Sequence, residues 1–319
     1  MNILERVERG ERGVIDVGGV EVRYTPARQL MVKKGLRYLD VFGLMDTVSR
    51  LSFDPDAQRW DPVNILFSGP KGTGKSLLLA FFAETNDIPY LSLDCSVETK
   101  ERHLRGGFVA KAGSTPFILG TVANAVQVAN DHGSAMLVLE EITALSPQMQ
   151  KELNALTDFR KKVEMPELSW RIELQPHAKL FVAGTMNPSV YGGTYELNED
   201  LKSRFFEVEV PYPPAVQELE ILKAHLSHNG TISDEQLKKL IQIANETRKE
   251  VSHYALSPRD LVDIVKAVRR VGWEDALFLA GQKFSGEDRK LIIDRIQDAT
   301  EITIPATLAE YAAAKKRIL

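Results

Sequence analysis

Asn64-Ile65-Leu66-Phe67-Ser68, followed directly by Gly69-Pro70-Lys71-Gly72-Thr73-Gly74-Lys75-Ser76, is the stretch on which the reading of this chain turns. Four residues of mostly branched and aromatic character make a buried strand, and the octet after it fits the phosphate-loop spacing G-x-x-x-x-G-K-S/T. Gly69, Gly72 and Gly74 allow backbone N–H groups to curl around phosphate oxygens where a side chain would block the approach. Pro70, Lys71 and Thr73 complete the loop. A helix opening near Lys75 adds its free N–H groups and its dipole to the same anion site. Lys75 is expected to reach the β- and γ-phosphates, and Ser76 to ligate magnesium, so ATP and Mg2+ are the expected ligands.

Downstream, apolar runs recur at residues 90–93, 135–139, 180–183 and 206–210, separated by helical patterns such as residues 117–129. Strands without polar alternation belong to a parallel sheet covered by helices on both faces. Upstream, residues 36–48 read as an amphipathic helix carrying Leu36, Leu39, Val41, Leu44 and Val48. Residues 14–17 and 20–24 flank Gly18-Gly19, a two-residue loop suited to a hairpin. After residues 211–214 only helical patterns remain. Ser233-Asp234-Glu235-Gln236 is a capping-box pattern, and Ser257-Pro258 places an N-cap before a proline at the first helical position. Further helices are expected over residues 274–279, 288–298 and 306–316. The expected organisation is a hairpin appendage at 1–35, an α/β nucleotide-binding domain at 36–212 and a helical lid at 213–319.

Residues 135–139 end in Glu140-Glu141. Consecutive side chains at a strand end point to different sides, so one carboxylate is available to the magnesium shell and the other to an attacking water. Acidic residues at the start of a helix also suit its dipole. Behind a phosphate loop the hydrolytic reading is preferred. Arg259 lies two residues past Ser257, where its charge opposes the dipole unless an anion is near.

Composition narrows the alternatives. The chain has 319 residues, 44% of them hydrophobic, with 40 basic and 44 acidic side chains and a net charge of −4. Strong non-specific nucleic-acid binding is disfavoured. Cys95 is the only cysteine, so an internal disulfide or a cysteine zinc site is excluded, and the six histidines lack H-E-x-x-H spacing. His225 and His228 are expected on an exposed helix face. Met1-Asn2-Ile3-Leu4-Glu5-Arg6 turns charged at once, and no apolar run reaches spanning length, which sets a cytosolic expectation.

Phe181-Val182-Ala183-Gly184-Thr185-Met186-Asn187-Pro188, then Tyr191-Gly192-Gly193-Thr194-Tyr195-Glu196-Leu197 and Ser203-Arg204-Phe205, resemble the MoxR group of AAA+ ATPases and its CbbQ, NorQ and dynein-related relatives. The resemblance runs over about residues 62–270. It implies a P-loop AAA+ fold, a parallel αβα sheet domain followed by a small all-helical lid. It also implies ATP hydrolysis by a ring oligomer, most simply a hexamer, which remodels or activates a protein partner complex, often one with a metal-ion-dependent adhesion domain. By resemblance Asn187 is the sensor, Glu141 the catalytic carboxylate, Arg204 a finger acting on a neighbour's ATP, and Arg259 the sensor of the lid. Glu140 stands where these families carry aspartate. Residues 105–114 match the position of their helix-interrupting insert. Lys161-Lys162 and Ser169-Trp170-Arg171-Ile172 suggest a second projecting hairpin, with Trp170 either packed on its own sheet or available for contact. A nucleic-acid motor using Lys161, Lys162, Trp170 and Arg171, or a GTP-dependent restriction-type relative, are the competing classes. A small-molecule kinase needs an acceptor pocket for which the sequence gives no signal.

Overall fold

The computed structural model describes residues 13–32, 37–110, 113–187, 195–226, 232–250, 255–305 and 307–316. Leu36, Pro188, residues 191–194 and His228, named above, lie outside them. In chain order the strands are β1 (Gly13–Val17), β2 (Val20–Tyr24), β3 (Phe53–Asp54), β4 (Arg59–Trp60), β5 (Ile65–Ser68), β6 (Tyr90–Asp94) and β7 (Gly106–Phe108). They continue with β8 (Phe117–Leu119), β9 (Ser134–Glu140), β10 (Lys162–Met165), β11 (Trp170–Glu173), β12 (Lys179–Met186) and β13 (Phe206–Glu209).

Five of these form one parallel sheet in the order β13-β5-β12-β9-β6. Alternation along β9 divides the core: Leu137 and Leu139 pack on one face with Val122, Ala125 and Val126 of the helix Thr121–His132. Met136 and Val138 pack on the other with Leu78 and Phe82 of the helix Lys75–Thr85. Both faces are therefore dry, as the unbroken apolar runs require. Each such side chain contributes about 2 kcal/mol by leaving water. The chain steps from β5 past two positions to β6, returns through β9 and β12, and then crosses to β13 on the far side of β5. That reversal opens a crevice beyond the C-terminal end of β5, where ligands of open α/β sheets bind.

Three local expectations are corrected. The first helix begins at Leu44, not near residue 36, because the Asp40 carboxylate accepts from the N–H groups of Leu44 and Met45, each at 2.7 Å. Phe117–Leu119 is a strand rather than the start of a helix; Phe117 pairs with Val22 of β2 in parallel and with Phe108 of β7 antiparallel. The helix proper starts at Thr121, after Gly120, where a Cβ would lie 2.6 Å from the Leu104 carbonyl. Consequently the β1–β2 hairpin is no detached appendage: it is half of a four-stranded sheet, β1-β2-β8-β7, and Val22 is fully buried in the main core. Part of the insert at 105–114 is thus sheet as well, through β7. The β10–β11 hairpin forms in the expected place.

Beyond Glu209 the described residues are helical: Ala215–His225, Asp234–Glu250, Pro258–Val271, Trp273–Gly281, Gly286–Thr300 and Leu308–Lys316. The chain divides into two compact units, one ending at Val210, the other running from Pro211 and including Pro70–Thr73. The second unit has its own core, with Leu237, Ala244, Leu261, Val265, Leu277 and Ile292 buried. The expected capping box of Ser233 with Gln236 is present, and the expected N-cap Ser257 proves to be part of a second box, with Asp260. Arg248 forms a two-pronged ion pair with the fully buried Glu218 at 2.7 and 2.9 Å and lies 4.2 Å over the Tyr212 ring. No helix among the described residues is long and apolar enough to cross a membrane.

Candidate active site

At the C-terminal end of β5 the chain turns through Gly69 (φ 144°), Gly72 (φ 76°) and Gly74 (φ 93°) into the helix Lys75–Thr85. All three lie in the region that disfavours other residues, and at Gly69 space adds to conformation, since a Cβ there would sit 2.2 Å from the Val210 carbonyl oxygen. Thr73 Oγ1 closes the loop by donating to the Pro70 carbonyl at 3.1 Å. Lys75 is buried, and its ammonium donates to the Gly69 carbonyl at 2.7 Å and to Asn187 Oδ1 at 3.4 Å. The charge is thereby held at the mouth of the loop.

Neighbouring strands bring up the acids. Glu140 is the last residue of β9, and its Oε2 accepts from Ser76 Oγ at 2.6 Å and from Thr185 Oγ1 at 2.7 Å. Glu141 follows in left-handed backbone (φ 54°, ψ 50°), a conformation that costs a non-glycine residue about 1 kcal/mol. Its Oε1 accepts from Asn187 Nδ2 at 3.3 Å, and its N–H donates to Thr185 Oγ1 at 3.1 Å. Lys75, Ser76, Glu140, Glu141 and Asn187 are therefore brought together from three separated segments. Thr185 joins them unannounced. Its one sequence signal is a position two residues before Asn187, on the same side of the extended chain.

Burial and the nearby Glu140 carboxylate push the Tyr90 phenol above its ordinary range. Burial, with Glu140, Asp94 and Glu141 adding to it, does the same to the Cys95 thiol, which is held protonated and unreactive. Hard oxygen donors at Ser76 and Glu140 suit Mg2+, which binds through one or two protein oxygens plus phosphates rather than a full protein cage. The positive φ of Gly69, Gly72 and Gly74 gives the loop the curl that turns backbone N–H groups toward a phosphate. The residues present fit both groups.

Arg204 is elsewhere. It precedes β13, whose Phe206 pairs with Ile65 at the beginning of β5, whereas the phosphate loop leaves the end of β5. Four strand residues span about 13 Å, so Arg204 lies at the opposite end of the sheet from the loop. Its Nη1 is 3.6 Å from Asp158 Oδ2. Arg259 is exposed at the second position of the helix Pro258–Val271 in the C-terminal unit, beside the Ser257–Asp260 box. The basic groups of the second hairpin have partners within the chain: Lys162 with Glu164 at 2.5 Å and Arg171 with Glu173 at 2.7 Å. Lys161 is a correction, for its ammonium is turned inward onto Asn64 Oδ1 at 2.6 Å. Trp170 is half-buried and packs against the main core.

Residues 64–205 match the family model described as the AAA domain, dynein-related subfamily. Over 249 residues, 75% of this chain and 86% of each relative, the sequence is 26% identical to uncharacterized proteins of Staphylococcus aureus strains NCTC 8325 / PS 47, COL and USA300.

Proposed function

Starting from an AAA domain over residues 64–205, on an α/β AAA+ fold with a helical C-terminal part, we propose that the chain is a MoxR-like ATPase that couples hydrolysis to the remodelling of a protein partner, as a closed ring, most simply a hexamer. One observation carries the hydrolytic half of this reading: at the phosphate loop Asn187 bonds both Lys75 and Glu141, and beside them Ser76 bonds Glu140. Lys75 neutralises phosphate charge in the bound state, and Ser76 with Glu140 holds Mg2+. When bound, Mg2+ supplies electrostatic stabilisation of the phosphoryl oxygens. Glu141 orients the attacking water and accepts its proton, while the Asn187 amide, donating to Glu141 and accepting from Lys75, keeps base and cation in register. Arg204, too far from its own loop, serves a neighbouring subunit, and Arg259 reports on nucleotide from the lid.

A protein partner is favoured over a nucleic-acid strand by the net charge of −4 and by the acid partners of Lys162 and Arg171. A cytoplasmic setting suits the reading, because it provides ATP and keeps a lone thiol such as Cys95 reduced. Turnover of ATP and of GTP, each with and without single-stranded DNA, tests it. Hydrolysis preferring ATP and indifferent to DNA is expected; preference for GTP, or stimulation by DNA, selects one of the other two classes. Glu141→Gln is expected to bind ATP as the parent does while hydrolysis falls by roughly three orders of magnitude, since a carboxamide cannot take the proton. Parental turnover in that variant would remove Glu141 from the mechanism.

A further inference from the structure

Asn64 precedes β5, the strand that feeds the phosphate loop, and is 6% exposed. Every polar group of its side chain is used. Nδ2 donates to the Thr157 carbonyl at 2.6 Å and to the Arg204 carbonyl at 2.9 Å, and Oδ1 accepts from Lys161 Nζ at 2.6 Å. Its own carbonyl accepts from Phe206 N at 2.9 Å. An ammonium only donates and carbonyls only accept, so this surrounding admits a single orientation of the amide. One buried residue thus ties together the end of the helix Asn154–Thr157, the turn into β10, Arg204 and the start of β13.

The Arg204 side chain contrasts with its backbone. Its guanidinium is held by the Asp158 ion pair at 3.6 Å, and its buried Nε has no hydrogen-bond partner among the described residues. The main chain is pinned, while the side chain, 30% exposed, is held by a long ion pair that a stronger anion can replace, an arrangement suited to a group that acts on something outside its own subunit. A displacement of about 1 Å in such a group costs roughly a hundredfold in rate.

We propose that Asn64 is the positioning residue for Arg204, with Lys161 as the half-buried cation that locks the amide. The inference rests on the reading of Arg204 as a finger for a neighbouring subunit. It adds a connection: the strand that ends in one subunit's phosphate loop also anchors the arginine that the subunit offers its neighbour. Burial of Lys161 lowers its ammonium pKa to about 8 against the pull of Asp158 and Asp61, a sign that the fold retains this cation against an electrostatic cost.

The test uses the full-length chain. Asn64→Ala is expected to lower kcat for ATP roughly 100-fold with KM and the binding of a fluorescent ATP analogue unchanged. Mixed with Lys75→Ala, which keeps an intact Arg204 but no nucleotide, it should regain hydrolysis, as should a mixture of Arg204→Ala with Lys75→Ala. A purely structural defect in Asn64→Ala would not be rescued by a neighbour. Parental turnover in Asn64→Ala, lost nucleotide binding, or no recovery with Lys75→Ala while the Arg204→Ala mixture recovers, each overturns the inference alone. If the Arg204→Ala mixture also stays inactive, the trans-acting reading falls and this inference with it. Should Asn64→Ala fail to fold, Lys161→Met, which retains the apolar stem, carries the same test: an intermediate drop in kcat rescued by Lys75→Ala supports the role, and parental turnover overturns it.

Discussion

Glu140 and Glu141 share a peptide bond but not an environment. Glu140 is gripped by two hydroxyls, while Glu141 stands in left-handed backbone against an asparagine amide. Thr185 is the hinge between them, donating to one carboxylate and accepting from the next residue's N–H. Thr185→Val should therefore raise the Mg2+ concentration for half-maximal ATPase activity about tenfold, the equivalent of one hydrogen bond to a charged group, and Thr185→Ser should restore it. Equal Mg2+ titrations for Val and parent would sink this. The phosphate loop, both acids and Asn187 were legible because their chemistry is coded by local spacing. Thr185 and Asn64 were not, since a hydroxyl inside an apolar strand and an amide ahead of one acquire meaning only from partners far away in the chain. Lys161 was misplaced for the same reason. Its folded pKa of about 8 lies below the usual 10.5 through burial, so between those values the unfolded chain holds a proton that the folded chain has released, and stability rises with pH. Below about pH 8 the whole penalty, on the order of 3 kcal/mol, is present. Relative to Lys161→Met, the parent should gain about that much in denaturant unfolding as pH goes from 7 to 10. A constant difference would show that Lys161 titrates normally.

Among the elements, the strands of the main sheet were plain because burial on both faces leaves unbroken apolar runs. Phe117-Ile118-Leu119 merges with the apolar pattern of the following helix because three apolar residues carry no period of their own; pairing with β2 and β7 decides their state. The start of the helix at Leu44–Ser52 is obscured in the sequence for a different reason. Leu36, Leu39 and Val41 continue its apolar spacing, but Asp40 claims the first two helical N–H groups and fixes the start. Asp40→Ala should leave those donors unsatisfied and cost about 1–2 kcal/mol in chemical denaturation, whereas Asp40→Asn, which keeps an acceptor, should cost less than half as much. If the two variants unfold alike, the carboxylate is not the cap that sets this boundary.

At the scale of the molecule, sheet polarity separates two chemistries. The phosphate loop, Glu140 and Asn187 gather where parallel strands end, and Arg204 stands where they begin. A single subunit cannot bring both to one phosphate, because a side chain of arginine length falls short of the roughly 13 Å strand that intervenes. On the proposed trans-acting reading a head-to-tail contact between copies would resolve this, and it would close into a ring only when the rotation per subunit divides a full turn. Since Arg204 would meet the neighbour's nucleotide, assembly should depend on bound ATP and on that guanidinium together. Glu141→Gln, loaded with ATP and unable to turn it over, should sediment as one species of about six chain masses, the closed ring proposed above. Lys75→Ala, without nucleotide, should remain smaller at the same micromolar concentration. The double variant Glu141→Gln/Arg204→Ala should bind ATP yet need a higher protein concentration to assemble, because its nucleotide meets no guanidinium across the interface. An ATP-loaded Glu141→Gln that stays at the mass of one chain, or that grows without limit into filaments, would exclude the closed ring and leave Arg204 without a phosphate to serve.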